Sequence, residues 1–519
     1  MLRKVFSRRT LAIATGGTAL AYCCINSGPV QAPQSPLPPP PPSWTPPSRA
    51  EMLASLRASA ESPDNEFDLL VVGGGATGAG VALDAASRGL KVALVERNDF
   101  SSGTSSKSTK LVHGGVRYLQ KAVFELDYDQ YKLVREALHE RHIFLQTAPY
   151  LSHMLPIMLP IYKHWQVPYY WAGCKLYDFL AGKQNIQSSY LLSKSRALHS
   201  FPTLNPNGLV GAVVYYDGQH NDSRMNIALV LTAIAHGATI TNYTALTSLV
   251  HPDPTTTTTT STTPHHLSTA LITDTLTSQT FPVRFKCLIN ATGPHADTLL
   301  QLADPDPERA PMVRQSRGVH IALPPYYAPR RMGLIDPKTE DGRVVFLLPW
   351  EGGTIAGTTD TPVDAPAPAP AGEEPMAQEE EIRWVLDEVK RCLAPDVGVS
   401  RADVLSAWCG LRPLVVGPSA SPGGDTPTPT QSLVRSHVIH VSPSGMITIV
   451  GGKWTTYREM ARETVDTAVR VHGLETRVRS GCVTETLQLI GSAGWETGLY
   501  LRLAERVRAC VRRGVRVRS

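Results

Sequence analysis

No run of about eighteen apolar residues occurs in the 519-residue chain, which argues against a helix that crosses a bilayer. No CxxC spacing occurs among its eight cysteines, which are scattered apart from the adjacent Cys23 and Cys24. Such a pattern builds neither a disulfide framework nor a zinc ligand set, and it fits a reducing compartment. A strong excess of one charge is missing too: 50 lysines and arginines meet 45 acids, a formal net charge of +5 that does not mark a nucleic-acid binder. That small excess sits at the ends. Arg3, Lys4, Arg8, Arg9 and Arg49 meet no acid in the first fifty residues, and seven arginines after residue 500 meet only Glu505, so the middle of the chain is mildly acidic. What is present is 42% apolar residues, enough for a large core and more than one domain.

The basic start, followed by the short apolar stretch Leu11 to Cys24 with its interior glycines and threonines, reads as a targeting segment. Its lack of acids suits an organelle presequence, so mitochondrial import is the expectation, with plastid import or secretion as alternatives. Nine prolines between Gln31 and Ala50 then favour extended, solvated chain, a linker to the folded body. Three more low-complexity patches, Pro252 to Pro264, Pro362 to Pro370 and Pro418 to Thr430, read as surface-loop insertions.

The body opens with an apolar run, Phe67 to Val72, a glycine cluster, a small-residue helical stretch to Arg88 and a second run, Val92 to Val95. Helical patterns recur at Asp129 to Gln146, Met225 to His236, Gln378 to Leu393 and Thr455 to His472. Strand-like runs at Val210 to Tyr215, Cys287 to Ile289, Val344 to Leu348 and Val438 to Val441 lie among them, so the fold class is α/β.

Gly73-Gly74-Gly75-Ala76-Thr77-Gly78 fits GxGxxG, directly after a strand and opening a helix. The first glycine permits the turn, the second lets the backbone approach a pyrophosphate, and Gly78 allows close helix–strand packing. The phosphates then meet the free N–H groups and dipole of the helix N-terminus. Glu96 ends the second strand 21 residues after Gly75, where a carboxylate accepts both ribose hydroxyls and repels a 2′-phosphate. Two remote strands return to glycines: Cys287 to Gly293 ends in Ala291-Thr292-Gly293, and Met446 to Arg458 runs into Gly451-Gly452-Lys453. A nicotinamide domain does not need such returns. Flavoproteins of the glutathione-reductase-like type have them.

The run FDLLVVGGGATGAGVALDAASRGLKVALVERNDFSSGTSSKSTKLVHGGVRYL at 67–119 resembles the amino-terminal block of the FAD-dependent, respiratory glycerol-3-phosphate dehydrogenases. VYYDGQHNDSRM at 214–225, LINATGPHAD at 288–297, QSRGVHIAL at 315–323, GTTDTP at 357–362, CGLRPL at 409–414 and IVGGKWTTYREM at 449–460 follow in the family order. The resemblance implies oxidation of sn-glycerol 3-phosphate to dihydroxyacetone phosphate, with electrons passing through FAD to ubiquinone. It further implies a monotopic enzyme at the mitochondrial inner membrane, with homodimerisation left open. By the same resemblance Arg97, Ser105, Ser106, Ser108, Leu111, His113, Gly114, Gly115, Gly451, Gly452, Lys453 and Thr455 join the FAD contacts.

The substrate offers a dianionic phosphate and a secondary alcohol. Arg117, Arg412, Arg435 and Lys453 supply cations, and arginine forks match phosphate oxygens in pairs. By resemblance Arg117 and Arg412 form the phosphate clamp. His113 is either the proton acceptor or a hydrogen-bond partner of flavin or substrate, and Tyr118 orients the same oxygen. Lys453 stabilises negative charge with the help of the last helix's dipole. The aromatic stretch Tyr150 to Leu180 reads as core packing, with an interfacial membrane patch as the alternative.

The expected architecture is a glutathione-reductase-like FAD domain from 67–150, 205–300 and 440–472, interleaved with a mixed-sheet substrate domain from 151–204 and 301–439. Residues 473–519 are expected to be a truncated helical region with a basic tail, and no EF-hand loop of the DxDxDG type occurs in the chain. Rival readings are a flavin oxidoreductase of an amino or 2-hydroxy acid, a catalytically dead flavin binder, and an NAD-linked dehydrogenase.

Overall fold

Every residue of the strands Phe67–Val72 and Val92–Val95 is buried, the mark of parallel strands covered on both faces. The computed structural model describes residues 44–115, 119, 127–251, 266–336, 339, 343–363, 375–416 and 436–512. The three low-complexity patches fall almost entirely outside them.

Among the described residues the chain forms two sheets. In the eight-stranded first sheet the order is His437–Val441, Ile447–Gly451, Gln279–Asn290, Phe67–Val72, Val92–Val95 and Thr239–Thr241. The last five run parallel, and His437–Val441 pairs antiparallel at one edge. An antiparallel extension, Thr244–Val250 and Thr269–Asp274, continues from the long strand Gln279–Asn290. Helices Ala76–Ser87, Asp222–Ala235 and Tyr457–Val471 supply one layer of packing over this sheet, and Arg49–Ala58 and Ala296–Ala303 supply the other. Alanine and glycine dominate Ala76–Ser87 because it lies close to its neighbours; a Cβ on Gly80 would touch the Tyr457 ring at 3.0 Å.

The ten-stranded second sheet runs Thr361–Pro362, Val313–Leu323, Gly353–Gly357, Val345–Trp350, Gly333–Asp336, Ser152–Ile161, Gly211–His220 and Leu111–Val112, with Ser406–Val415 beside Val313–Leu323 and Tyr190–Ser193 beside Gly211–His220. It is mixed, because Gly333–Asp336 pairs parallel with Ser152–Ile161. Helix Glu379–Cys392 covers one face with Ile382, Val385, Leu386 and Val389, as the periodicity predicts. Helices Tyr128–Thr147 and Gln166–Ala181 pack on the second sheet as well. Leu111–Val112 and Gly211–His220 come from segments that the sequence groups with the first domain, yet they pair in the second sheet. Strand patterning marks which face is buried and carries no label for the sheet a strand joins.

One buried polar group is built into this second layer. Arg141 donates to Asp217 at 2.8 Å, to the Tyr216 carbonyl at 2.7 Å and to the Tyr177 hydroxyl at 3.2 Å, with the Arg141, Asp217 and Tyr177 side chains almost out of solvent. Burial pushes the Asp217 carboxyl up, and the guanidinium opposes it. Such a pair adds little net stability while intact, but breaking it strands a charge. Asp217→Ala is therefore expected to lose about 3–5 kcal/mol of folding stability, read as a lower urea midpoint. A midpoint matching that of the unsubstituted protein would show that the pair carries no such weight.

Candidate functional site

The turn after Phe67–Val72 is set by contact with the returning strand. Gly73 has φ of 104°, and a Cβ there would lie 2.6 Å from the Ala291 carbonyl oxygen, while any side chain on Gly78 would overlap the Gly73 carbonyl. The Ala291 N–H donates to the Val72 carbonyl at 2.9 Å, which seats Ala291-Thr292-Gly293 over the turn. Gly75 caps helix Ala76–Ser87 with no side-chain acceptor, so the helix start presents its N–H groups. Ala76 N–H reaches Ser105 Oγ at 2.9 Å, joining Ser105 to the same turn. Glu96 holds its carboxylate at the end of the second strand by accepting from Gly74 N–H at 2.7 Å and Asn98 N–H at 2.9 Å. Arg97 is in hydrogen-bond contact with His295 at 3.1 Å.

The hydroxyl-rich loop after Ser105 crosses between the two sheets. Ser105 accepts from the Trp454 indole at 2.8 Å, and Thr104 donates to the Leu411 carbonyl at 2.8 Å, one residue from Arg412. Ser108 donates through both its amide and hydroxyl to Asp222. Lys110 donates to both oxygens of Asp222 at 2.7 Å and to the Ser106 carbonyl at 2.6 Å. Leu111 turns into the core under the second sheet. His113 is half-buried and its carbonyl accepts from the Thr455 hydroxyl at 3.3 Å. Gly114 N–H donates to the Tyr177 hydroxyl at 2.9 Å, and Gly115 takes a positive φ.

Arg412 projects from the second sheet beside Gly318, where a Cβ would overlap its guanidinium. It donates to the Thr359 carbonyl at 2.9 Å, the Thr358 hydroxyl at 2.7 Å and Asp360 at 3.2 Å. Ser316 also bonds Asp360, which fixes the carboxylate. Gly451 and Gly452 both have positive φ at the end of Ile447–Gly451 and deliver Lys453 to the start of the last core helix. Three residues of the sequence reading, Arg117, Tyr118 and Arg435, lie outside the described residues.

The half-buried positions Gly73, Gly75, Glu96, Arg97, Ser105, Ser106, His113, Thr292, Gly293, Gly451, Gly452 and Lys453 are thus set around the turn, the crossing loop and the two returning strands. A dinucleotide fits this set by its chemistry, with the N–H groups of the helix start suited to phosphates and the Glu96 carboxylate suited to ribose hydroxyls. Asp222, Asn226 and His320 were not singled out by the sequence reading, and Lys110 entered it only as the end of the segment Ser105 to Lys110 assigned to flavin contacts by resemblance. Asn226 donates to the Gly74 carbonyl at 3.1 Å, and His320 meets Thr109 at 3.0 Å while stacking on Trp408. The signal for Asp222 and Asn226 was present, since both are polar residues at the buried start of a helix.

The family comparison matches residues 68–458 to the FAD dependent oxidoreductase family. The chain is 54% identical to the mitochondrial glycerol-3-phosphate dehydrogenase of Mesocricetus auratus over 462 residues, covering 89% of this chain and 59% of that one. It is 45% identical to the mitochondrial glycerol-3-phosphate dehydrogenase of Saccharomyces cerevisiae over 490 residues, covering 89% and 72%. Among solved structures, the glycerol-3-phosphate dehydrogenase of Bacillus halodurans complexed with FAD aligns with a TM-score of 0.67 at 30% identity, over 90% of this chain and 76% of that one. The chain therefore spans about three-fifths of the length of the hamster relative.

Two buried histidines beside the crossing loop set a pH dependence. Burial holds His220 down at about 4, with Asp222 opposing and Lys110 assisting, and burial also holds His320 well below its ordinary value, with Arg412 assisting. Below 6.5 the unfolded chain takes up protons that folded His220 refuses until about 4, so folding stability falls as pH drops through that window. His220→Gln removes this uptake. Between pH 7 and 5 it should lose about 1–2 kcal/mol less stability than the unsubstituted protein. Parallel stability–pH curves for the two proteins would contradict the assignment.

Proposed function

The chain belongs to the FAD-dependent oxidoreductase family, and within it to the glycerol-3-phosphate dehydrogenases; we propose that it oxidises sn-glycerol 3-phosphate to dihydroxyacetone phosphate and hands the electrons to ubiquinone. Bound FAD supplies the acceptor for the two electrons and the C2 hydrogen. The chain's own work is to hold the phosphate, take the hydroxyl proton and present C2 in one orientation.

Arg412 is the observation that carries this reading. A strand interior gives up a side chain at Gly318 to lodge a guanidinium, and three acceptors on 358–360 fix its plane. A fixed fork of N–H donors suits the oxygens of a phosphate dianion better than a mobile ammonium. Arg117 and Arg435 complete the cationic set. His113 sits one residue before the buried Gly114 anchor, so its backbone is held while its imidazole accepts or bonds the substrate hydroxyl. Tyr118 orients that oxygen, and Lys453 at the helix start balances the negative charge that develops. Gly73 to Gly78, Glu96, Ser105, Thr292 and Gly451 to Lys453 hold FAD.

Ubiquinone is dissolved in lipid, so the acceptor end of the reaction has to meet a membrane. No described helix is long and apolar enough to cross one. An outward face on helix Gln166–Ala181 and its neighbours suits surface contact instead: Trp165 is 64% exposed and Phe179 78%, with Trp171 on the same helix and Leu191 also exposed. Cys174, Tyr177 and Ala181 take the buried side of the same helix, so the stretch is divided between core and surface, where the sequence favoured core and kept an interfacial patch as the alternative. Lys163 and Lys183 edge the patch for anionic headgroups. The mitochondrial names of the relatives and the basic, acid-free leader support the inner mitochondrial membrane as the location.

Residues 45–519 are expected to purify yellow, to bleach with glycerol 3-phosphate and to recover colour with a quinone; bound flavin that this substrate cannot bleach would defeat the activity. Arg412→Ala should keep its FAD and lose about 10- to 100-fold in kcat/KM, and full activity would remove Arg412 from the clamp. The double variant Trp165→Ser, Phe179→Ser should co-sediment less with anionic liposomes at an unchanged Tm. Undiminished sedimentation would sink the membrane face.

A further inference from the structure

A cleft of about 830 Å³ opens at the far end of the second sheet, within the usual ~300–1,000 Å³ of small-molecule sites. Strand register separates it from Arg412. Arg412 pairs with Ser316, whereas Thr354, next to the cleft, pairs with Leu323, seven residues on and roughly 23 Å away at ~3.3 Å per residue. Its walls come from the turn at Tyr150, the start of helix Asp222–Ala235, the segment at Arg330, and the tight turn Glu351–Gly352, where both residues take positive φ.

Arg224 and Arg330 line this cleft, are exposed, and have no ion pair or side-chain hydrogen bond among the described residues. Arg224 also stands in the first turn of its helix, where the dipole disfavours a cation, and the acid of that turn, Asp222, is taken by Lys110. The only acid lining the cleft among the described residues is Glu351. One of its oxygens accepts from Asn221 at 2.7 Å, and the other has no partner among the described residues. Two guanidinium groups thus face one carboxylate. Trp350 is half-buried with no ring packed on it among the described residues, and Tyr150, half-buried, lines the wall with its hydroxyl anchored to the Ile490 carbonyl at 2.6 Å and its ring backed by the first sheet's core and Gly491.

We propose that this cleft binds a nucleoside di- or triphosphate, its base on Trp350 and Tyr150 and its phosphates on Arg224 and Arg330. Unpaired arginine forks call for a polyanion, flat aromatic walls call for a planar group, and a cleft of this size is much larger than a lone phosphate. The free oxygen of Glu351 is placed to accept from a ribose hydroxyl. The cleft uses none of the groups around Arg412, so a nucleotide here would bind whatever substrate is oxidised there.

The test is titration of the FAD-loaded protein with ADP, followed by calorimetry with the flavin spectrum monitored throughout, so that ADP cannot enter the adenosine end of the FAD site. ADP should bind at one saturable site, about tenfold more weakly in Arg224→Ala and in Arg330→Ala, with saturating glycerol 3-phosphate making no difference. Trp350→Leu should weaken ADP while leaving inorganic phosphate unchanged. Absence of ADP and ATP binding, indifference to both arginine substitutions, displacement by glycerol 3-phosphate, or inorganic phosphate binding as tightly as ADP would each overturn the proposal.

Discussion

The contact on which the site depends is the buried ion pair between Lys110 and Asp222. Lys110 ends the loop that leaves the first sheet, and Asp222 begins the helix that leaves the second, so one ammonium ties the two layers together. Both groups are almost wholly out of water, and the net gain of such a pair is small once desolvation is subtracted. Its value lies in selection of one arrangement. With Lys110 fixed on Asp222 and the Ser106 carbonyl, Ser108 also bonds Asp222, and Ser105 reaches both the first helix and the Trp454 indole. Remove either charge and the other is left buried at a cost of about 3–5 kcal/mol, so alternative placements of the loop are strongly disfavoured.

Buried or half-buried ion pairs of this kind recur elsewhere in the fold. Arg141 pairs with Asp217, Arg458 with Glu140, and Arg88 with Asp84 and Asp466, each with its guanidinium nearly out of solvent. A mildly acidic body therefore spends many of its cations on internal ties. Arg412 is held by neutral oxygens as well as by one carboxylate, and Arg224 and Arg330 meet no acid among the described residues. The anion sites proposed above rest on the placement of a few such groups, and the overall charge of +5 adds little to them.

Local chemistry was legible in the sequence, and long-range chemistry was not. The unit Phe67 to Glu96 declares itself because its glycines, helix and acid are constrained by neighbours within thirty residues, and the four long helices keep their period. Ser152–Ile161 is not among the strands named from the sequence, and Pro156 and Pro160 lie within it. The prolines are tolerated because the parallel neighbour Gly333–Asp336 pairs only at Ile157 and Met158, so positions 156 and 160 fall outside that ladder. Lys110 and Asp222 stand 112 residues apart, and nothing in either segment names the other. Arg412 was found by resemblance alone; the physical clue, a glycine at 318 on the paired strand, becomes readable only with the register.

Register also explains why the site closes within the matched stretch. Ile447–Gly451 is the last strand of the described chain, and it pairs beside the end of Gln279–Asn290, whose parallel neighbour on the other side is Phe67–Val72. The ends of these three strands bring Gly73, Ala291 and Gly451 to one edge of one sheet, so the glycines of three distant segments line a single groove. Helix Tyr457–Val471 then returns across Ala76–Ser87, with Tyr457 filling the space that Gly80 leaves. Each described group assigned to binding or chemistry precedes residue 458, inside the family match at 68–458. The groove is therefore built by the sheet and closed by the returning helix, whatever sequence lies beyond it.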